Sequence, residues 1–170
     1  MAKNPRCLIV HYKDIQDPDC SAYPGSVELL SIGSTFSRHF RFRKLGIHHE
    51  LLPPGRRTSF PHAESSEEEF VFVLEGRPHA WIDGHAFKLK PGDGVGFLPG
   101  TGISHCFINN TDAIVRLLVV GEANKKTNKI FYPLNPELKA RKRRSWWHNP
   151  PSRSLGSADP RPKRKSPHRP

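Results

Sequence analysis

Cysteine is scarce in this 170-residue chain, and long apolar runs are missing. The three cysteines, Cys7, Cys20 and Cys106, form no spaced cluster, and their odd number argues against a framework of disulfide bonds. The apolar patch near the start lies between Arg6 and His11 and covers four residues, which is too short for a secretion signal or a membrane span. The expected location is therefore a reducing compartment, the cytoplasm.

Helical periodicity is also missing before residue 120. Short apolar segments separated by Gly, Pro and Asp recur there at even spacing, which is typical of an all-β sandwich or barrel. The sequences between the segments are those of hairpin turns. The predicted strands of the central part are residues 47–52, 69–75, 78–82, 86–90, 94–98, 103–108 and 113–120.

The two ends of the chain have a different composition. Residues 1–26 are predicted to form an N-terminal arm with one short strand at 8–12. The barrel is predicted to span residues 27–122, and its first hairpin is formed by segments 27–31 and 36–42. Residues 123–149 are expected to be an extension that packs on the barrel and contains a short helix around 136–144. From residue 150 to 170, Pro, Ser, Arg and Lys dominate, which predicts a disordered basic tail.

The formal net charge of +11 raises the question of a nucleic-acid partner. Residues 137–170 contain eleven Lys or Arg against two acids, whereas residues 1–136 contain 16 basic and 14 acidic side chains. The folded part is therefore nearly neutral, and nucleic-acid binding is not expected of it. The segment 141–150, with its basic cluster and two tryptophans, is either a nucleic-acid or nuclear-import patch or a solvated terminus.

Two imidazoles and two carboxylates stand out in the central part. His62 and Glu64 are two residues apart, so on an extended strand their side chains share a face. Glu69 follows seven positions after His62, and His105 lies in another predicted strand. A sheet closed on itself can bring the four together, and they are a suitable ligand set for a divalent first-row metal such as Fe, Mn, Ni or Zn.

The spacing of these residues resembles that of the cupin family, whose two motifs read G-x5-H-x-H-x3-4-E-x6-G and G-x5-P-x-G-x2-H-x3-N. Each motif fits with one extra residue, and the main departure is Glu64, which occupies the place of the second metal-binding histidine. A YPLNPEL segment and a Trp-Trp pair after the barrel are similar to those of small single-domain cupins. The matching positions are Gly55, His62, Glu69 and Gly76 in the first motif and Pro99, Gly102, His105 and Asn109 in the second.

This resemblance implies a double-stranded β-helix, or jelly roll, that holds a small organic substrate inside the barrel. The function that it implies is a metal-dependent oxidoreductase or tailoring enzyme. The alternative is a metal-free binding protein or a cupin of the sugar-phosphate-isomerase type. In that case Glu64 or Glu69, buried beside apolar walls, would have a raised pKa and act as a general acid or base.

Further residues are assigned by their positions in the predicted strands. Trp81, Phe97, Val71 and Val73 are expected to line the substrate pocket. Cys106, adjacent to His105, is expected to face the opposite side of its strand as a small core residue. Glu67 and Glu68 are either a solvated loop or further metal ligands.

A homodimer is also expected. The predicted hairpin at residues 27–42 places Phe36, Phe40 and Phe42 on one side, which is more apolar surface than a lone barrel edge usually leaves bare. A second subunit would cover both the aromatic rings and the sheet edge.

Overall fold

A computed structural model describes residues 8–123 and 125–163 of the chain. The strands are β1 Ile32–Thr35, β2 Leu45–Leu52, β3 Ala63–Glu64, β4 Glu69–Glu75, β5 His79–Ile82, β6 His85–Lys88, β7 Gly94–Phe97, β8 His105–Ile108, β9 Val115–Glu122 and β10 Ile130–Phe131. The helices are a 3-10 turn at Tyr12–Ile15, α1 Phe36–Phe40 and α2 Leu138–Arg141.

The strands of the described residues form two main antiparallel sheets. One has the order β1-β2-β9-β4-β7, the other has the order β6-β5-β8, and β3 pairs with β10. The core lies between the two sheets, where alternate residues of each strand meet. This all-β jelly roll is the predicted fold. The core side chains are Leu52, Val71, Val73, Val115 and Leu117 from one sheet and Ala80 and Phe107 from the other.

The predicted first hairpin is wrong. The segment 36–42 instead begins with α1, which is capped by Arg41 in the left-handed conformation with a φ of 58°. Phe36 and Phe40 are four residues apart, a spacing that puts two side chains on one face of a strand and also on one face of a helix. Both rings are half-buried, and Phe42 is exposed. The predicted strand at 8–12 is replaced by the 3-10 turn at Tyr12–Ile15.

The predicted disorder after residue 150 is also wrong for the described part of that segment. Residues 150–163, the C-terminal strap, lie along the outer face of the β6-β5-β8 sheet. Backbone hydrogen bonds join Gly156 N to Asp83 O and Ala158 N to Gly84 O, each at 2.8 Å. The rest of the predicted tail, residues 164–170, lies outside the described residues.

The extension between the barrel and the C-terminal strap packs on the barrel, as predicted. Its helix α2 lies within the predicted range, and Trp146 is buried in a cluster with Phe60, Tyr132 and Leu138. Tyr23, from the N-terminal arm, stacks on Phe60 with 4.2 Å between ring centroids. The arm and the extension therefore meet beside the barrel, next to His62 and the start of β3.

Candidate metal centre

Two strand starts and one isolated bridge bring three of the predicted ligands together. Glu69 is the first residue of β4, and His105 is the first residue of β8. His62, just before β3, pairs with His105 through two backbone hydrogen bonds of 3.2 and 2.9 Å. Because cross-strand partners lie on the same face of a sheet, this bridge places the two imidazoles side by side.

The donor atoms of the group converge on one point. One ligand atom from each of His62, Glu69 and His105 can be chosen so that all three lie within 4.8 Å of one another. The Nε2 atom of His105 lies 3.0 Å from Oε1 of Glu69, and the two imidazole centroids are 5.0 Å apart. The arrangement is therefore compact enough for one cation to contact all three side chains.

The backbone fixes the tautomer of His62. Its Nδ1 atom lies 3.0 Å from the carbonyl oxygen of Phe60 and 3.2 Å from the hydroxyl of Ser59. Because a carbonyl can only accept, Nδ1 carries the proton and Nε2 keeps its lone pair. A hydrogen bond of this kind orients a metal-binding histidine and raises its basicity.

His105 is held by an aromatic ring as well as by Glu69. The ring of Phe97 stacks on the imidazole with 3.5 Å between centroids and 7° between planes. The imidazole is buried, and its Nδ1 atom has no hydrogen-bond partner among the described residues. Orphaned buried atoms of this kind are rare and often belong to functional sites.

The electrostatics of the group favour a neutral His62 beside a charged Glu69. Burial, and then the neighbouring His105, lower the pKa of His62 from 6.5 to about 4. Burial acts to raise the pKa of Glu69, but the hydrogen bond with His105 and the proximity of the two imidazoles outweigh it, so the pKa is lowered. At neutral pH the group thus presents a charged carboxylate and a neutral His62 whose Nε2 atom keeps its lone pair.

Glu64 stands apart from this group. It lines an adjoining cavity of about 550 Å³ with Glu67, Glu68 and Glu69, and it does not belong to the three-residue donor group found in the described chain. Burial raises its pKa from 4.5 to about 8, with further contributions from the charges of Glu69 and Glu67. Glu64 therefore holds a proton at neutral pH, and its predicted role as a fourth ligand stays a prediction.

The predicted pocket walls have different positions in the structure. Phe97 lies against His105, and Val71 and Val73 are fully buried in the core below the group. Trp81 is not a pocket wall, because it pairs with Cys106 on the outer face of its sheet, where its indole Nε1 donates to Ala158 O at 2.6 Å.

Cys106 faces away from His105, as predicted. The thiol is buried on the outer face of the sheet beside Trp81. Burial raises its pKa to about 12, so the reactive thiolate is disfavoured.

Sequence reasoning missed the aromatic residues behind His62. The ring of Tyr132, at the start of the YPLNPEL segment, lies 5.9 Å from the His62 imidazole. The ammonium of Lys142 lies 5.4 Å from the ring centroids of Tyr23 and Tyr132, and burial lowers its pKa. The sequence showed that the YPLNPEL segment is similar to that of small cupins, but no local pattern showed that it contacts the histidine.

Residues 48–121 match the family model of the cupin domain. These residues form a domain of the cupin type, and a solved structure of the cupin superfamily shares its fold. A sugar phosphate isomerase of this superfamily from Silicibacter pomeroyi has a similar structure, with 29% identity and a TM-score of 0.59 over 61% of this chain and 66% of that one. The chain therefore spans just under two thirds of that isomerase.

Two further solved structures share the fold at lower identity. A polyketide cyclase from Streptomyces resistomycificus is 19% identical, with a TM-score of 0.60 over 85% of this chain and 96% of that one. A protein described as a predicted oxalate decarboxylase from Thermotoga maritima is 19% identical, with a TM-score of 0.56 over 68% and 99% of the two chains. A search of curated proteins found no match. Within the described residues, no helix is both long and apolar enough to cross a membrane.

The donor set fits a divalent metal. Two imidazole nitrogens and one carboxylate oxygen form the arrangement that non-haem Fe(II) oxygenases use, and imidazole also suits Zn, Ni and Cu. In the metal-free protein, the proton between His105 and Glu69 lies between two of the donor atoms. A cation and this proton compete for the same atoms, so a neutral His105 that bound a metal through Nε2 would carry its ring proton on Nδ1 instead.

Proposed function

We propose that this protein is a metal-dependent enzyme of the cupin type that oxidises or rearranges a small organic molecule. His62, Glu69 and His105 would hold the metal, with Fe, Mn, Ni and Zn as the candidates. The observation that carries the proposal is the convergence of their donor atoms within 4.8 Å. A bound divalent metal would supply a Lewis acid or an O₂-binding centre.

The remaining side chains have roles that follow from their chemistry. Glu64 keeps its proton at neutral pH, since its pKa is raised to about 8, and it lines the cavity from which a substrate would approach. It is therefore suited to donate a proton to a substrate and to take one back. Phe97 covers one face of the His105 ring and excludes water from it.

A metal-free acid–base enzyme is the second candidate. The raised pKa of Glu64 supports it, as does the similarity to a structure described as a sugar phosphate isomerase. The charge of the cavity weighs against a phosphorylated substrate. Arg38 is the only Lys or Arg among the lining residues, and its guanidinium is paired with Asp17 at 2.5 Å. The carboxylates that line the cavity are Glu64, Glu67, Glu68, Glu69 and Glu122.

Metal analysis separates the two candidates. The protein would be purified without chelators, analysed for first-row metals, and then titrated anaerobically with Fe(II). The metal-dependent proposal expects about one equivalent per chain, before or after the titration. Less than about a tenth of an equivalent after both steps would reject it and leave the acid–base enzyme.

A further inference from the structure

The C-terminal strap is attached to the turn between β5 and β6, close to the start of β8. Its backbone bonds to Asp83 and Gly84, and Trp81 Nε1 donates to Ala158 O. These contacts hold the strap beside a single aspartate. Asp83 has a positive φ of 44°, and its side chain is only 7% exposed.

The two carboxylate oxygens of Asp83 have different partners. Oδ1 accepts a hydrogen bond of 2.8 Å from the backbone N–H of Ser104, and Oδ2 accepts one of 2.9 Å from Nε of Arg153 in the strap. The backbone N–H of Asp83 also donates to Ser104 O at 2.9 Å. The aspartate therefore connects the strap to the residue that precedes His105.

We propose that Arg153 and Asp83 are positioning residues for His105, and that the C-terminal strap sets the affinity of the metal centre through them. The inference rests on the proposed function, because His105 matters in this way only as a ligand. Asp83 fixes the backbone of Ser104, while the backbone of His62 fixes His105 itself. The start of β8 is thus held at two successive residues.

The charge of Arg153 makes this arrangement stable. A buried carboxylate without a cation is costly, and a charge-assisted hydrogen bond compensates for its loss of water. Without the guanidinium, the carboxylate of Asp83 lowers its free energy by turning toward solvent, where water hydrates its charge. This movement breaks the hydrogen bond from the N–H of Ser104. The next residue along the chain is His105, so its imidazole is no longer held in a fixed position relative to Glu69.

Co²⁺ titration of the metal-free protein tests the proposal, because the visible spectrum of Co²⁺ reports its ligands. We expect Arg153→Ala to weaken Co²⁺ binding about tenfold, as loss of a supporting hydrogen bond around a metal ligand commonly does. Arg153→Lys keeps the charge and should recover most of the affinity. The control is Arg161→Ala, since Arg161 pairs with Asp159 within the same strap. Equal affinities in all four proteins would overturn the proposal.

Amide hydrogen exchange in the metal-free protein is the second readout and needs no metal. We expect Arg153→Ala to accelerate exchange at Ser104 and His105 about tenfold, while the amide of Leu117 in the other sheet is unchanged. Unchanged exchange at Ser104, or equal acceleration at Leu117, would show that the strap does not position His105. If the wild type binds no Co²⁺, the metal proposal is wrong, and exchange alone decides whether positioning occurs.

Discussion

The most distinctive prediction is that Glu64→Gln stabilises the metal-free protein at high pH. The pKa of Glu64 is raised from 4.5 to about 8 by burial and then by the charges of Glu69 and Glu67. Between these two pH values the folded chain holds a proton that the unfolded chain has lost. The stabilisation is therefore fully present below pH 4.5 and is lost as the pH rises to about 8.

The size of the effect follows from the shift. A change from 4.5 to about 8 corresponds to roughly 5 kcal/mol at 1.36 kcal/mol per pH unit, as an upper limit. Glu64 is half-buried, so solvent screening lowers the expected gain to about 2 kcal/mol. In a domain of this size, that gain raises the melting temperature by about 4–8 °C.

The assay is thermal unfolding followed by circular dichroism at pH 5 and pH 9, after removal of metal with a chelator. Glu64→Gln should melt higher than the wild type at pH 9 and at nearly the same temperature at pH 5. The control is Glu68→Gln, because Glu68 lines the same cavity but does not contribute to the pKa shift of Glu64. A gain of equal size at both pH values, or no gain at pH 9, would refute the reasoning.

Three further predictions concern stability and assembly. Gly76→Val should cost about 2 kcal/mol more than Gly92→Val. Both glycines have a positive φ, but a Cβ at Gly76 would lie 2.7 Å from a methyl of Val115, whereas one at Gly92 would meet nothing within 4 Å. Equal melting temperatures for the two variants would contradict this. His62→Gln should make the stability of the fold less sensitive to acid. As the pH falls from 6.5 to about 4, the unfolded wild-type chain binds a proton at His62 that the folded chain does not, so the free energy of unfolding falls by up to roughly 3 kcal/mol. The variant has no imidazole at this position and should not show this loss. Equal acid sensitivity of the two proteins would count against the buried neutral imidazole. The protein should be a homodimer, because the outer face of the β1-β2-β9-β4-β7 sheet and its edge expose apolar side chains such as Leu98, which is 69% exposed. Light scattering should therefore give twice the chain mass of 19.3 kDa. A monomer mass at micromolar concentration would contradict the dimer.

The strands were predictable because their signal is local. Alternation of apolar residues and the Gly, Pro and Asp turns between them predicted every strand from β4 to β9 within two residues at each end. The spacing of the two cupin motifs also predicted that His62, Glu69 and His105 lie together. It also predicted Glu64 as a fourth ligand, and this stays a prediction: Glu64 lines the same cavity as Glu69 but lies outside the three-residue donor group of the described residues.

What the sequence did not predict depends on contacts between distant segments. The alternation along β5 does not specify the pairing of Trp81 with Cys106, and this pairing puts the indole on the outer face. The composition of the C-terminal strap predicted disorder, because the strap has few apolar residues to bury. The strap is instead held by backbone hydrogen bonds and by the pairing of Arg153 with Asp83, which composition does not reveal.

The central claim is that His62, Glu69 and His105 bind one metal ion together. Its most direct test is the metal content of Glu69→Gln after equilibration with Fe(II) and desalting, beside the wild type and Glu122→Gln. Glu122 lines the same cavity but lies outside the donor group. We expect about one equivalent in the wild type and in Glu122→Gln, and less than about a tenth in Glu69→Gln, because the substitution removes the one carboxylate of the donor group. Full metal content in Glu69→Gln would contradict it.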